Sequence, residues 1–204
     1  MEPDQNFLTM PVTLVFATHN QHKLQEVAAK TGDRLLLQSL TDINCHDDIE
    51  ENGTTFQANA SIKSHYIFDK YKLNCFGDDS GLEIEALNNK PGVYSARYAG
   101  EHGNHEANMN KVLQNLEGVS NRKARFRTVI SLLWNGEEHF FDGTVNGTIR
   151  TERAGTDGFG YDPIFEPEGY HITFAEMTME EKNRISHRAI AMEKLIAFLK
   201  EVEE

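Results

Sequence analysis

Cysteine is scarce in this 204-residue chain. Cys45 and Cys75 lie far apart with no Cys-x-x-Cys companion, which excludes a disulfide framework and a cysteine-based zinc site, and both are expected to be buried thiols. Cationic side chains are also in short supply, with 20 Lys and Arg against 32 Asp and Glu and a net charge of −12. So acidic a surface repels phosphate backbones and anionic lipid, which argues against broad binding to a nucleic-acid polymer or a membrane. No apolar run approaches the ~18 residues of a membrane span. The opening Met1-Glu2-Pro3-Asp4 lacks the positive charge and apolar run of a secretion signal, so the expected compartment is the cytoplasm. Repeats and low-complexity tracts are absent. What is present is ample core material: 39% hydrophobic residues, including 12 Phe, suit a single domain in the usual range of about 100–200 residues.

Apolar patterning begins at Val12, so residues 1–11 are expected to be an extension and 12–204 a single domain. The β-branched run Val12 to Ala17 predicts a strand buried on both faces, followed by the loop Thr18 to His22 and a helix from Lys23. A second strand is expected at Leu35 to Leu37. Thr54-x-x-Gln57 reads as a capping box that starts a helix running to about Lys70, whose inward stripe Phe56, Asn59, Ala60, Lys63, Ile67 contains two polar residues. Asp78-Asp79-Ser80-Gly81 reads as a turn between extended segments. A helix is expected from Asn104 to Leu116, and Asn135-Gly136 joins two long strand-like runs as a hairpin. Thr178 and Ser186 offer helix starts, and Ala189, Met192, Leu195, Ile196 and Leu199 form a core stripe of the last helix. The fold class that follows is α/β with a mixed sheet and long antiparallel strands.

Chemistry concentrates in a few places. Asp78 and Asp79, with Glu50 and Glu51, form the kind of carboxylate set that suits Mg²⁺, one acid on the metal and another accepting a proton from water. The loop Thr18, His19, Asn20, Gln21, His22, Lys23 before a helix offers N–H groups and an ammonium to an anion. Lys63, in a core-facing stripe, needs a partner or a route to water. Lys182, His187 and Arg188 gather cations in an acidic protein, and Gly158-Phe159-Gly160-Tyr161-Asp162 places two rings in a flexible loop where a planar base could stack. The pairs His19/His22 and His102/His105 lack a third zinc ligand. Together these point to a nucleoside triphosphate site.

Thr18-x-Asn20-x-x-Lys23, Glu50-Glu51-x-Gly53-x-x-Phe56-x-x-Asn59-Ala60-x-x-Lys63, Asp78-Asp79-Ser80-Gly81-Leu82, Pro91-Gly92-Val93-Tyr94-Ser95-Ala96-Arg97-Tyr98, Gly158-Phe159-Gly160-Tyr161-Asp162-Pro163 and Glu181-Lys182-x-x-x-Ser186-His187-Arg188 follow one another along the chain. This co-linear set resembles the inosine triphosphate pyrophosphatase family, the house-cleaning XTP/dITP hydrolases, from about Val12 to the last helix. The resemblance implies two lobes around a central nucleotide-binding cleft, a homodimer, and Mg²⁺-dependent cleavage of free dITP, ITP or XTP to the monophosphate and pyrophosphate, with one ion per subunit. By motif match, Thr18 to Lys23 hold phosphates, and Glu50 and Asp79 bind the metal. Asp79 also accepts the proton of the attacking water, and Lys23 and Lys63 stabilise the developing charge. Ser80 lies beside the substrate, Phe159 to Asp162 and Lys182 contact base or sugar, and His187 and Arg188 read the base. His19 departs from the glycine that many relatives carry, and either crowds the phosphates or adds a cationic contact. The alternatives are a Maf-like pyrophosphatase acting on modified pyrimidine nucleotides, against which Ser186-His187-Arg188 argues, and a non-catalytic nucleotide sensor, which has no use for paired Asp78 and Asp79.

Overall fold

The structure, a computed structural model, describes residues 12–31 and 35–203, and the expected extension at 1–11 lies outside them. In chain order the elements are β1 (Val12–Phe16), α1 (Gln21–Thr31), β2 (Leu35–Gln38), α2 (Phe56–Tyr71), β3 (Cys75–Ile84), β4 (Lys90–Pro91), α3 (His105–Asn115), β5 (Lys123–Trp134), β6 (Glu137–Ile149), β7 (Phe165–Pro167), α4 (Met179–Ile185) and α5 (His187–Glu203). The strands make a seven-stranded mixed sheet ordered β2-β1-β3-β5-β6-β7, with β4 beside β3. β1 is parallel to β2 and β3, while the neighbours β3–β5, β5–β6 and β6–β7 pair antiparallel. Asn135 and Gly136, at φ 51° and 87°, turn the β5–β6 hairpin as expected. No helix among the described residues is long and apolar enough to cross a membrane.

Alternation along the strands divides the core. Leu14 and Phe16 of β1 pack with Phe76, Ile130 and Leu132 beneath α5, and the rings of Phe16 and Phe76 stack at 4.5 Å. Val15 points to the other face and joins Cys75, Leu133 and Ile67 of α2. The α5 stripe Ala189, Met192, Leu195, Ile196, Leu199 is at most 3% exposed, each larger side chain worth about 1.5–3 kcal/mol of burial. A separate cluster holds Leu82, Ile84, Phe126, Ile149, Phe165 and Phe174 against Met109 and Val112 of α3. β3 therefore runs from one core to the other, and Asp78 to Gly81 fall on the seam.

Two local expectations are corrected. Asp78-Asp79-Ser80-Gly81 is not a turn but the middle of ten-residue β3, paired with β5 without a break from Cys75↔Leu133 to Ile84↔Ala124. That ladder, together with charged partners on both faces, overrides the weak strand preference of Asp and Gly. The α2 cap is Thr55, whose hydroxyl accepts the Ala58 N–H at 3.1 Å, one residue later than expected. The Gly53 N–H is already donated to Asn59 Oδ1 at 2.8 Å, which holds the preceding segment outside the helix.

The strand pleat sorts the seam residues between faces. A Cβ on Gly77 would lie 2.6 Å from the Ala60 carbonyl oxygen, so Gly77, Asp79 and Gly81 face α2. Asp78 and Ser80 face α1 and α5. On that side a Cβ on Gly143 of β6 would lie 2.0 Å from the His187 oxygen, so only glycine lets the first turn of α5 come this close to the sheet.

Candidate active site

Asp79 lines the cleft on the seam. Its Oδ1 accepts the Ser80 N–H at 2.8 Å and its Oδ2 accepts from Asn59 Nδ2 at 2.9 Å. Burial outweighs the pull of Lys63 and Lys23 and pushes its pKa up to about 6, with Glu51 adding to the rise. Lys63 donates to Glu51 Oε2 at 2.8 Å and to the Asp78 carbonyl oxygen. Burial alone would lower the Lys63 pKa, but Glu51, Asp78 and Asp79 outweigh it and raise it, so it stays an ammonium. Both polar residues of the α2 stripe are thereby accounted for: Asn59 and Lys63 face inward because they serve Asp79 and the strand that carries it.

On the opposite face of β3 lies a buried ionic chain. Lys23 donates to Asp78 Oδ1 at 2.8 Å, and Arg188 Nε donates to Asp78 Oδ2 at 3.1 Å. Arg188 also donates to Ser80 Oγ at 2.8 Å and to Glu26. Lys182 donates to Glu26 at 2.6 Å and to Asp162 Oδ2 at 2.7 Å. Burial works against every charge here, but Lys23, Arg188 and Lys63 hold Asp78 well below the usual carboxylate range, and Arg188 and Lys182 lower Glu26. His187 is kept neutral by burial and by the cations beside it, and it stacks on Phe126 at 4.8 Å. Its Nδ1 is buried without a hydrogen-bond partner among the described residues. The Lys182 ammonium lies 5.2 Å from the centre of the Phe159 ring.

Residues 14–198 match the Ham1 family profile. The chain belongs to the Ham1 family. It is 49% identical over 187 residues to a dITP/XTP pyrophosphatase of Flavobacterium psychrophilum, covering 92% of this chain and 98% of that one. A protein of the same description from Porphyromonas gingivalis is 50% identical over 187 residues, covering 91% and 96%. Among solved structures, the Ham1 protein of Coxiella burnetii superposes with a TM-score of 0.85 at 40% identity, covering 93% of this chain and 99% of that one. The Staphylococcus aureus Ham1 protein gives 0.83 at 40% identity, with coverage of 92% and 98%.

Most of the expected site residues of this Ham1-family chain converge. Thr18, His19, Asn20, Lys23, Lys63, Asp79, Ser80, Phe159, Gly160, Tyr161, Asp162, Lys182, His187 and Arg188 all line the one cleft. Three do not. Gln21 is exposed on α1, and Glu50 is exposed while its neighbour Glu51 lines the cleft and takes Lys63. His22 lies outside the lining and stacks on Phe159 at 5.1 Å, where it buttresses the ring. Tyr161 and Asp162 also hold the loop together: the Tyr161 hydroxyl donates to the Ser95 oxygen at 2.8 Å, and Asp162 accepts the Phe159 N–H at 2.9 Å. His19 is tied across the cleft mouth, its Nε2 3.0 Å from the Asp47 oxygen.

Sequence reasoning missed Glu26 and the role of Asp78. Glu26 carries one sign in its spacing, three residues after Lys23 on α1 and so on the same helix face. Its partners come from α4 and α5, which no local pattern reveals. Asp78 proves to be the counter-ion of Lys23 and Arg188. Among the described residues no group of three or more His, Cys, Asp or Glu forms a metal cluster. Of the carboxylates that line the cleft, Asp79 and Glu51 fit a hard cation that keeps its waters and is completed by phosphate oxygens.

Proposed function

We propose that this chain hydrolyses free non-standard purine nucleoside triphosphates, dITP, ITP and XTP, to the monophosphate and pyrophosphate in a Mg²⁺-dependent reaction. The observation that carries the reading is Asp79: a buried carboxylate with a pKa of about 6, between two lysines, in the cleft that also holds Phe159 and Arg188. A carboxylate so poised is a fit general base near neutral pH. Asp79 takes a proton from water as the oxygen bonds to the α-phosphorus. The bond from that phosphorus to the bridging oxygen breaks, and its electron pair leaves with pyrophosphate. Lys23 and Lys63 stabilise the charge that develops.

Asp79 and the acidic loop, through Glu51 in the conformation seen, would hold the metal. When bound it neutralises phosphate charge and polarises the reacting phosphoryl group. At the base end Arg188 spends three of its five N–H groups on Glu26, Asp78 and Ser80, leaving two for a 6-oxo purine. Adenine presents an amino donor there instead and would leave a buried group unpaired. The chain is proposed to act as a homodimer in the cytoplasm, on mononucleotides and not polymers.

Incubation with dITP, ITP, XTP, ATP and a modified pyrimidine triphosphate, with product analysis for pyrophosphate and orthophosphate, tests the assignment. Pyrophosphate from the 6-oxo purines alone, abolished by EDTA and restored by Mg²⁺, is the expected result. Turnover of the pyrimidine substrate only would favour the Maf-like alternative. Binding with no product from any substrate would favour a sensor.

A further inference from the structure

Five lysines and arginines line the cleft: Lys23, Lys63, Arg97, Lys182 and Arg188. Four of them are neutralised by the protein itself, Lys23 by Asp78, Lys63 by Glu51, Lys182 by Glu26 and Asp162, and Arg188 by Glu26 and Asp78. Arg97 alone among them has no carboxylate partner among the described residues. Its guanidinium carbon lies 5.3 Å from the centre of the Tyr94 ring, which steadies the side chain without neutralising it. The cleft thus reserves one cation for a ligand.

The turn beneath Arg97 is tied down by hydrogen bonds and sits on the catalytic side. The 3₁₀ turn Gly92–Arg97 is fastened to β3 through Ser95, whose Oγ accepts the Leu82 N–H at 2.9 Å and donates to the Gly92 oxygen at 2.6 Å. The Ser95 oxygen in turn accepts from Tyr161 at 2.8 Å. Gly81 allows this closeness, since a Cβ there would lie 2.4 Å from the Gly92 oxygen. Gly81 shares its strand face with Asp79, so Arg97 is based on the side of β3 that holds the general base and Lys63. The ionic chain of Lys182 and Arg188 occupies the other side.

We propose that Arg97 clamps the β- and γ-phosphates of the substrate and stays on the pyrophosphate as it leaves. An arginine fork matches two phosphate oxygens at once, and a charge held only by an aromatic face is free to do so. As the bond between the α-phosphorus and the bridging oxygen breaks, the electron pair passes to pyrophosphate, and Arg97 donates N–H bonds to the oxygens where that charge collects. The inference rests on the nucleoside triphosphate reading of the cleft.

Calorimetric binding of inorganic pyrophosphate with Mg²⁺, and separately of dIMP, to the wild type, Arg97→Ala and Arg97→Lys tests it, alongside kcat/KM for dITP. Arg97→Ala should weaken pyrophosphate binding and lower kcat/KM by roughly 10- to 100-fold, the usual worth of a charged hydrogen-bonding pair, and leave dIMP affinity within about twofold. Arg97→Lys should recover part of both losses. Unchanged pyrophosphate affinity, or an equal loss of dIMP affinity as from a disturbed fold, would overturn the clamp. Should the wild type bind pyrophosphate through Arg97 yet leave dITP intact, the clamp stands and the proposed activity falls. Normal dITP cleavage by Arg97→Ala would do the opposite, removing the clamp while the proposed activity stands.

Discussion

Replacing Asp79 by Asn should make the protein more stable and nearly inactive, and the two effects have one cause. Burial raises the Asp79 pKa from 3.8 to about 6. Relative to the unfolded chain, the protonated group contributes stability that is fully present below pH 3.8 and is lost as pH rises through about 6. Above pH 7 the ionised carboxylate therefore costs about 3 kcal/mol. Asn removes that cost. It also turns an amide N–H toward Asn59 Nδ2, which cannot simply flip because its Oδ1 holds the Gly53 N–H at 2.8 Å, so one hydrogen bond of about 1 kcal/mol is lost. The net expectation at pH 7.5 is a gain of about 1–2 kcal/mol, or roughly 2–8 °C in Tm for a chain of this size. The gain should fade toward pH 4, where wild-type Asp79 is neutral too. Loss of a general base should lower kcat by about 10²–10⁴-fold. Thermal unfolding followed by circular dichroism in EDTA at pH 7.5 and 4.5, with steady-state kinetics in Mg²⁺, measures both. A variant less stable than wild type at pH 7.5, or one retaining more than about a tenth of the activity, would refute the reasoning.

The two loop glutamates separate in the same assays. Glu51→Gln should raise the Mg²⁺ concentration needed for half-maximal activity and release Lys63, while Glu50→Gln, at an exposed position, should have the smaller effect; the opposite order would return the metal to Glu50. Glu26→Gln leaves Lys182 and Arg188 short of a buried counter-charge, so it should cost about 3–5 kcal/mol and lower the Tm by roughly 10 °C in calorimetry. Turnover of wild-type enzyme should fall toward acid pH, because a protonated Asp79 neither accepts a proton nor holds the metal, and the fall should lie below the value of about 6 that the carboxylate has without metal and move further down as Mg²⁺ is raised; a rate with no acid limb, or one whose midpoint ignores the Mg²⁺ concentration, would count against Asp79 in that double role.

How far the sequence could be read depended on the range of the interactions involved. Periodicity and caps are local, so β1, α2, the Asn135-Gly136 hairpin and the α5 stripe were all legible. The stripe of α2 even flagged Asn59 and Lys63, because a polar residue on an apolar face demands a partner. Asp78 to Gly81 was misread because turn preference is also local, whereas the ladder that makes it a strand comes from β5, some fifty residues on. Glu26 escaped for a like reason: its partners Lys182 and Arg188 are more than 150 residues away. Glu50 and Glu51 are adjacent, and only the backbone path of their loop decides which side chain enters the cleft.

The most direct test of the account follows the oxygen of the attacking water. With dITP and Mg²⁺ in ¹⁸O-labelled water, mass spectrometry of a single turnover should find the label in dIMP and none in pyrophosphate, as attack on the α-phosphorus activated by Asp79 requires. Label in pyrophosphate, or the appearance of labelled orthophosphate with dIDP, would contradict it.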